Sequence, residues 1–161
     1  MIVVANSGPL IAMARIGHLL RTLYGELWVP PAVRKEVVAS GCGGQGAAEV
    51  DSASWVRTVE TQDTTAVPLL RERLDAGESA ALVLAIEVGA SLLLIDEAKG
   101  RRVAQARGLN HIGTLGTLIV AMKRGFVRFV APLLGALVAA GFRMRPELYE
   151  AVQRLVGETA G

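Results

Sequence analysis

Four polar residues in this chain stand where an alternating strand–helix protein places its chemistry. Asn6 ends the apolar run Ile2-Val3-Val4-Ala5, and Asp96 ends the run Leu92-Leu93-Leu94-Ile95. Glu78 opens a helical stretch after Asp75-Ala76-Gly77, and Glu36 lies late in a helical stretch that begins at Pro31. Open α/β sheets bind ligands at the carboxyl ends of their strands. If the two apolar strands are neighbours, Asn6 and Asp96 emerge side by side, with Glu36 and Glu78 closing the cluster from helices. Converging carboxylates repel one another, which raises their pKa unless a cation is present. A hard cation such as Mg²⁺ takes oxygen ligands and retains waters. It can activate one of those waters and stabilise charge on a phosphoryl oxygen. Lys99 and Arg101 follow Asp96 by about one helical turn, in reach of a phosphate beside such a site.

Each residue also has a purely structural reading. Asp96 before a helix is a good N-cap. Glu78 in a first turn suits the helix dipole. Glu36 sits beside Arg34 and Lys35 on what reads as a solvent-facing surface. Asn6 is either an N-cap or a turn residue bonded to its own backbone. The basic run Lys99-Gly100-Arg101-Arg102 is also consistent with a solvated helix surface. Taken one at a time these readings outweigh the functional ones, and spacing alone does not establish convergence.

The elements that must position these residues follow from the pattern. Strands are expected over 2–6, 27–29, 56–59, 91–95 and 110–112. Helices are expected over 9–16 and 18–24 with a break at Gly17, then over 31–39, 67–74, 78–88, 97–107, 114–124, 127–140 and 146–156, with a short one over 47–53. Pro30-Pro31 starts a helix, where a missing N–H costs nothing in the first turn. Gly108 follows a helix in the C′ position. Strands separated by helices, without hairpin signals, predict a parallel sheet covered on both faces.

Size and composition set the outer bounds. The 161 residues fit one domain, 1–161, with an ordinary core. Helices over 127–156 either pack on it or form an interface. Hydrophobic residues make up 52% and charged residues 20%, which argues against disorder. Mean hydropathy is high, at +0.41. The most apolar stretches are nevertheless interrupted by Glu87 and Gly89, or by Pro132 and Gly135, and fall short of the roughly 20 residues a spanning helix needs. No basic region precedes the first apolar segment, so a secretory signal is not expected. The single cysteine, Cys42, lies in the glycine-rich stretch 41–46 and forms no metal-binding cluster. The expectation is a cytoplasmic protein with no membrane partner. A net charge of +2 permits nucleic-acid binding without demonstrating it. Fourteen of the seventeen basic residues are Arg, which suits bidentate phosphate contacts and is equally the mark of a biased genome.

The ordered set of motifs resembles the PIN-domain superfamily, the metal-dependent ribonucleases related to VapC toxins, and within it a poorly characterised subgroup. The resemblance covers nearly the whole chain. It rests on N-S-G-P-L-I at 6–11, V-P-P-A-V-R-K-E-V at 29–37 and L-D-A-G-E-S-A-A-L at 74–82. It continues through L-L-L-I-D-E-A-K-G-R-R-V-A at 92–104, G-T-L-G at 113–116 and F-R-M-R-P-E-L-Y at 142–149. It implies a three-layer α/β/α fold with a parallel sheet of four to five strands in order 3-2-1-4-5. It implies catalysis at Asp96, Glu78, Glu36 and Asn6, with Mg²⁺ or Mn²⁺ held by the three acids. Ser7, Lys99, Arg101 and Thr114 would then contact substrate. The family's first acid falls on Asn6, which carries no charge.

Two functions from different classes follow. One is an endoribonuclease that hydrolyses single-stranded RNA to a 5′-phosphate product, with Asn6 as a neutral oxygen ligand or a water-positioning group. The other is a catalytically weakened or inactive module that binds RNA or protein. Either is compatible with the toxin of a toxin–antitoxin pair, with a small antitoxin as partner, and with a homodimer. Phe126, Phe129, Leu133, Leu134, Leu137 and Val138 form an apolar helical face for a partner, or simply core. Other chemistries fit less well. Ser7 has no identifiable general base, since neither His18 nor His111 forms a motif with it. The stretch at 41–46 lacks the Lys and Ser/Thr of a phosphate-binding loop.

Overall fold

The computed structural model describes residues 1–14, 19–40, 53–139, 142, 144–155 and 157. Expectations for Gly17, His18, Cys42, the loop at 41–46 and the helix starting at 47 fall outside these residues.

Five strands form one parallel sheet: β1 (Val3–Ala5), β2 (Leu27–Val29), β3 (Val56–Thr58), β4 (Leu92–Leu94) and β5 (His111–Ile112). Their order is β3-β2-β1-β4-β5, as the resemblance implied. β1 is central. It pairs with β2 through Val4↔Trp28 and with β4 through Val3↔Leu92, Val4↔Leu93 and Ala5↔Leu94. Beyond them, β2 pairs with β3 and β4 with β5. Val3, Val4, Ala5, Leu93, Leu94 and Ile95 have no exposed surface, so the central strands are covered on both faces. That explains their unbroken apolar runs.

The helices among the described residues are α1 (Ser7–Ala14), α2 (Leu19–Tyr24), α3 (Pro31–Ser40), α4 (Ala66–Leu70), α5 (Ala76–Glu87), α6 (Ala98–Ala106), α7 (Thr114–Lys123), α8 (Ala131–Ala139) and α9 (Pro146–Leu155). They flank the sheet as a three-layer α/β/α arrangement. Helix α5 is buried without interruption from Gly77 to Ala85, which is why its residues are apolar or small all round. It packs on α3, α4, α6 and the central strands. Helix α1 packs on α3 and α7. Each fully buried Leu of this core, such as Leu82, Leu84 or Leu94, contributes roughly 1.5–3 kcal/mol.

Among the boundaries that differ from the sequence expectation, two have identifiable reasons. Helix α5 starts at Ala76 instead of Glu78. Asp75 is its N-cap, and Asp75 and Glu78 close a reciprocal capping box. The helix expected from Val127 starts only at Ala131. Pro132 in its first turn disfavours helical geometry in the residues ahead of it. The helix expected over 67–74 is regular only over Ala66–Leu70 and ends in turns.

The apolar face expected from Phe126 to Val138 is split. Leu134 and Leu137 are fully buried, whereas Phe126, Phe129 and Val138 are about half exposed. No helix among the described residues is long and apolar enough to cross a membrane.

Candidate functional site

Sheet topology selects one place for a site. From β1 the chain proceeds to β2 and β3 on one side, and from β4 to β5 on the other. The connections after β1 and β4 therefore diverge, and their carboxyl ends frame a crevice at the switch point. Asn6 directly follows β1, and its backbone N–H donates to the Leu94 carbonyl at 2.9 Å. Asp96 follows β4 by one buried residue, Ile95.

Glu36 and Asp96 reach the turn after β1 from different directions. Ser7 Oγ donates to Glu36 Oε2 at 2.9 Å, and the Gly77 N–H donates to Glu36 Oε1 at 2.9 Å. Glu36 is therefore half-buried between the first residue of α1 and the first turn of α5, and does not face solvent. The absence of a side chain at Gly77 leaves room for the carboxylate. A Cβ there would lie 2.7 Å from Glu36 Oε1 and Cδ.

Asp96 leans against α1 on its other side. A Cβ at Gly8 would stand 3.4 Å from Asp96 Oδ2, and one at Gly113 would stand 2.7 Å from Oδ1. Thr114, fully buried at the start of α7, donates twice to Asp96. Its backbone N–H binds Oδ1 and its hydroxyl binds Oδ2, both at 2.7 Å. Short bonds to an ionised carboxylate at a helix N-terminus are strong and complement the dipole. Asp96 is thus not the N-cap of α6. Glu97 holds that position and makes no side-chain cap bond.

Glu78 is 5% exposed. Its Oε2 accepts the Asp75 N–H at 3.1 Å, and its Oε1 lies beside Gly100. Burial holds its carboxyl above the ordinary carboxylate range. The Asp75 N–H opposes that rise, and the negative fields of Asp75, Glu97 and Glu36 add to it. Two of the structural readings thus fail (Glu36 in solvent, Asp96 as cap), while that of Glu78 in a first turn holds alongside its burial in an acidic field.

Asn6 is 4% exposed, and its Oδ1 has no hydrogen-bond partner. Buried polar atoms are nearly always satisfied, so an orphaned carbonyl oxygen at the carboxyl end of β1 marks a position for an outside donor or cation.

The remaining candidates divide. Ser7 and Thr114 both spend their hydroxyl hydrogens on the acids and so position them. Lys99 and Arg101 are exposed and lie on opposite flanks of α6, two residues and about 200° apart.

The donor set is one of hard oxygens, the chemistry that Mg²⁺ and Mn²⁺ prefer. The arrangement is not a closed cage. Among the described residues no three His, Cys, Asp or Glu side chains are grouped to hold a metal ion. It fits an ion that keeps several waters and is held by one or two carboxylates.

The sequence reading missed two supporting parts of the site. One is the pair of glycine cradles at 77 and 113, and the other is the Asp75 cap. The D-A-G-E order at 75–78 was the available signal for the cap. No curated protein matches the chain at significant similarity. The family model DUF3368, a PIN domain, matches residues 2–158, nearly the full length. The chain belongs to the PIN domain family.

Proposed function

We propose that this protein is a metal-dependent endoribonuclease that hydrolyses single-stranded RNA. One observation supports the reading: Glu36 accepts from Ser7 and Asp96 lies against Gly8, both in the turn after Asn6, while buried Glu78 lies within the field of Glu36. PIN domains generally use divalent metals, and a family of nuclease-like modules makes phosphodiester hydrolysis the natural chemistry.

Asp96, Glu78 and Glu36 would hold Mg²⁺ or Mn²⁺, directly or through water. Once bound, the ion supplies an activated water and charge stabilisation at the phosphoryl oxygens. The chain's own residues do the positioning. Thr114 fixes both oxygens of Asp96, Ser7 and the Gly77 N–H fix those of Glu36, and Asp75 fixes Glu78. The free Asn6 carbonyl accepts a hydrogen bond from water at the strand ends. In the overall reaction water oxygen bonds to phosphorus and the bond to the 3′ oxygen breaks. A proton goes to that oxygen, leaving a 3′-hydroxyl and a 5′-phosphate. A toxin role with a small antitoxin, and a homodimer, belong to the same proposal.

A second reading has its own support. Asn6 contributes no charge, and the acids are not gathered as a ready-made ligand set. Both features favour a weakened or inactive module that binds RNA or protein.

The test compares the purified protein with its Asp96→Asn variant on single-stranded RNA in Mn²⁺. Cleavage by the parent alone is expected. Equal cleavage by both would assign the activity to a contaminant or another site, and cleavage by neither would leave the binding module standing.

A further inference from the structure

A second constellation lies next to the acids, and its charge is of the opposite sign. A groove of about 430 Å³ is lined by Glu72, Arg73 and Leu74 on one wall and by Lys99, Arg102 and Val103 on the other. The second wall is one flank of α6. Positions 99, 102 and 103 are spaced i, i+3 and i+4 and so share a face. Arg101 falls on the opposite flank and does not line the groove.

Both walls run directly into the acidic site. Leu74 is followed by Asp75, the cap that binds Glu78. Lys99 is followed by Gly100, where an added Cβ would come within 3.8 Å of Glu78 Oε1. Three cations face a single carboxylate, Glu72. The wider sequence reinforces the sign, because residues 98–146 contain nine Lys or Arg and no Asp or Glu.

We infer that this groove is a docking channel for the phosphodiester backbone of a single RNA strand, in which Arg73, Lys99 and Arg102 hold the phosphates next to the one being attacked. The inference rests on the ribonuclease reading and deepens it. An acidic centre repels a polyanion, so affinity must come from cations outside it. Phosphate contacts position a strand without reading its sequence. Two guanidinium groups and an ammonium, in an open groove with apolar stems from Leu74 and Val103, suit that task. Arg102 thereby becomes a binding residue that the sequence pattern alone left as solvated surface, and Arg73 one that the pattern did not single out.

Binding is measured by fluorescence anisotropy with a labelled single-stranded RNA oligonucleotide of mixed sequence, in EDTA so that no cleavage occurs. Arg73→Glu and Arg102→Glu are each expected to weaken binding by roughly tenfold, since a charge-assisted contact is lost. Each should lower the slope of log affinity against log salt by about 0.7. Lys99→Glu should act in the same direction. Arg21→Glu, at an exposed position of α2, is the control and should leave affinity unchanged. All four positions are exposed, and circular dichroism checks that the variants fold.

Unchanged affinity and salt slope in both arginine variants would overturn the groove. So would full displacement of RNA by inorganic phosphate at equal phosphate concentration, which would assign it to a free anion. The two proposals separate cleanly. RNA binding that depends on Arg73 and Arg102, with no cleavage in Mn²⁺, supports the groove and removes the hydrolase. Cleavage that Asp96→Asn abolishes, with binding indifferent to both arginines, does the reverse.

Discussion

Replacing Asn6 by Asp tests the electrostatics of the site with a change of one amide to one carboxylate. The side chain is 4% exposed and its Oδ1 has no partner, so the new charge would enter a buried position without a donor. Its neighbour Ser7 donates to Glu36, and Asp96 lies against Gly8 in the same turn, so two carboxylates make the surroundings negative. An uncompensated buried charge costs about 3–5 kcal/mol. For a chain of this length, 1 kcal/mol shifts Tm by about 2–4 °C, so the loss in chelator is roughly 6–20 °C. A cation offsets the effect. Ligand at a hundred times its Kd stabilises by about 2.7 kcal/mol, so saturating Mn²⁺ should restore half or more of the loss. The parent, with one charge fewer, should gain less from the same Mn²⁺. The assay is thermal denaturation of both proteins in EDTA and across a Mn²⁺ titration. An Asn6→Asp protein that melts like the parent in EDTA would show that Asn6 does not lie in an acidic field. A large loss that Mn²⁺ does not restore would refute the idea that these carboxylates share a cation.

Three further perturbations probe the supports of the site and the stability of the fold. Thr114→Val removes the hydroxyl that donates to Asp96 Oδ2. It should cost about 1.5–3 kcal/mol in a urea melt and depress cleavage, with Thr114→Ser restoring both. Gly77→Ala would force a Cβ against the end of the flexible Glu36 side chain, costing about 1–3 kcal/mol while keeping the fold. The double variant Gly77→Ala/Glu36→Ala should be more stable than the sum of the single losses, and strict additivity would refute the clash. Asp63 accepts bonds from Thr65 Oγ1 and from the Thr65 and Ala66 N–H groups, which hold its carboxyl below the ordinary value of 3.8. A depressed folded pKa gives stability that is present above the unfolded pKa and lost as pH falls through the folded one. Asp63→Ala should therefore melt below the parent at neutral pH, and the gap should close as pH drops beneath 3.8.

The strands and the polar residues at their ends could be read from the chain, because each depends on local pattern, whereas the strand order came from the family resemblance. Buried strands write themselves as apolar runs, and a polar residue at the end of such a run is conspicuous. What depended on distant partners could not be read. Glu36 looks like a surface residue beside Arg34 and Lys35 until Gly77, 41 positions later, donates to it. Asp96 has the credentials of an N-cap, yet the helix starts at Ala98 and the carboxylate turns instead to Thr114. Lys99 and Arg101 look equivalent in sequence, but a helix places them on opposite flanks. Pro132 should have warned against a helix from Val127, a local signal outweighed by the apolar periodicity around it.

Two of the backbone N–H groups bound by site carboxylates also give the protein an internal reporter. Gly77 donates to Glu36 and Thr114 to Asp96, and each sits at the start of a helix where no intrahelical partner exists. Exchange of these two amide hydrogens with solvent deuterium therefore depends on carboxylates remaining in place, independently of helix unfolding. Any cation or strand that draws Glu36 or Asp96 away should speed the exchange of one or both. The site can thus be followed residue by residue without a label, a substrate or turnover.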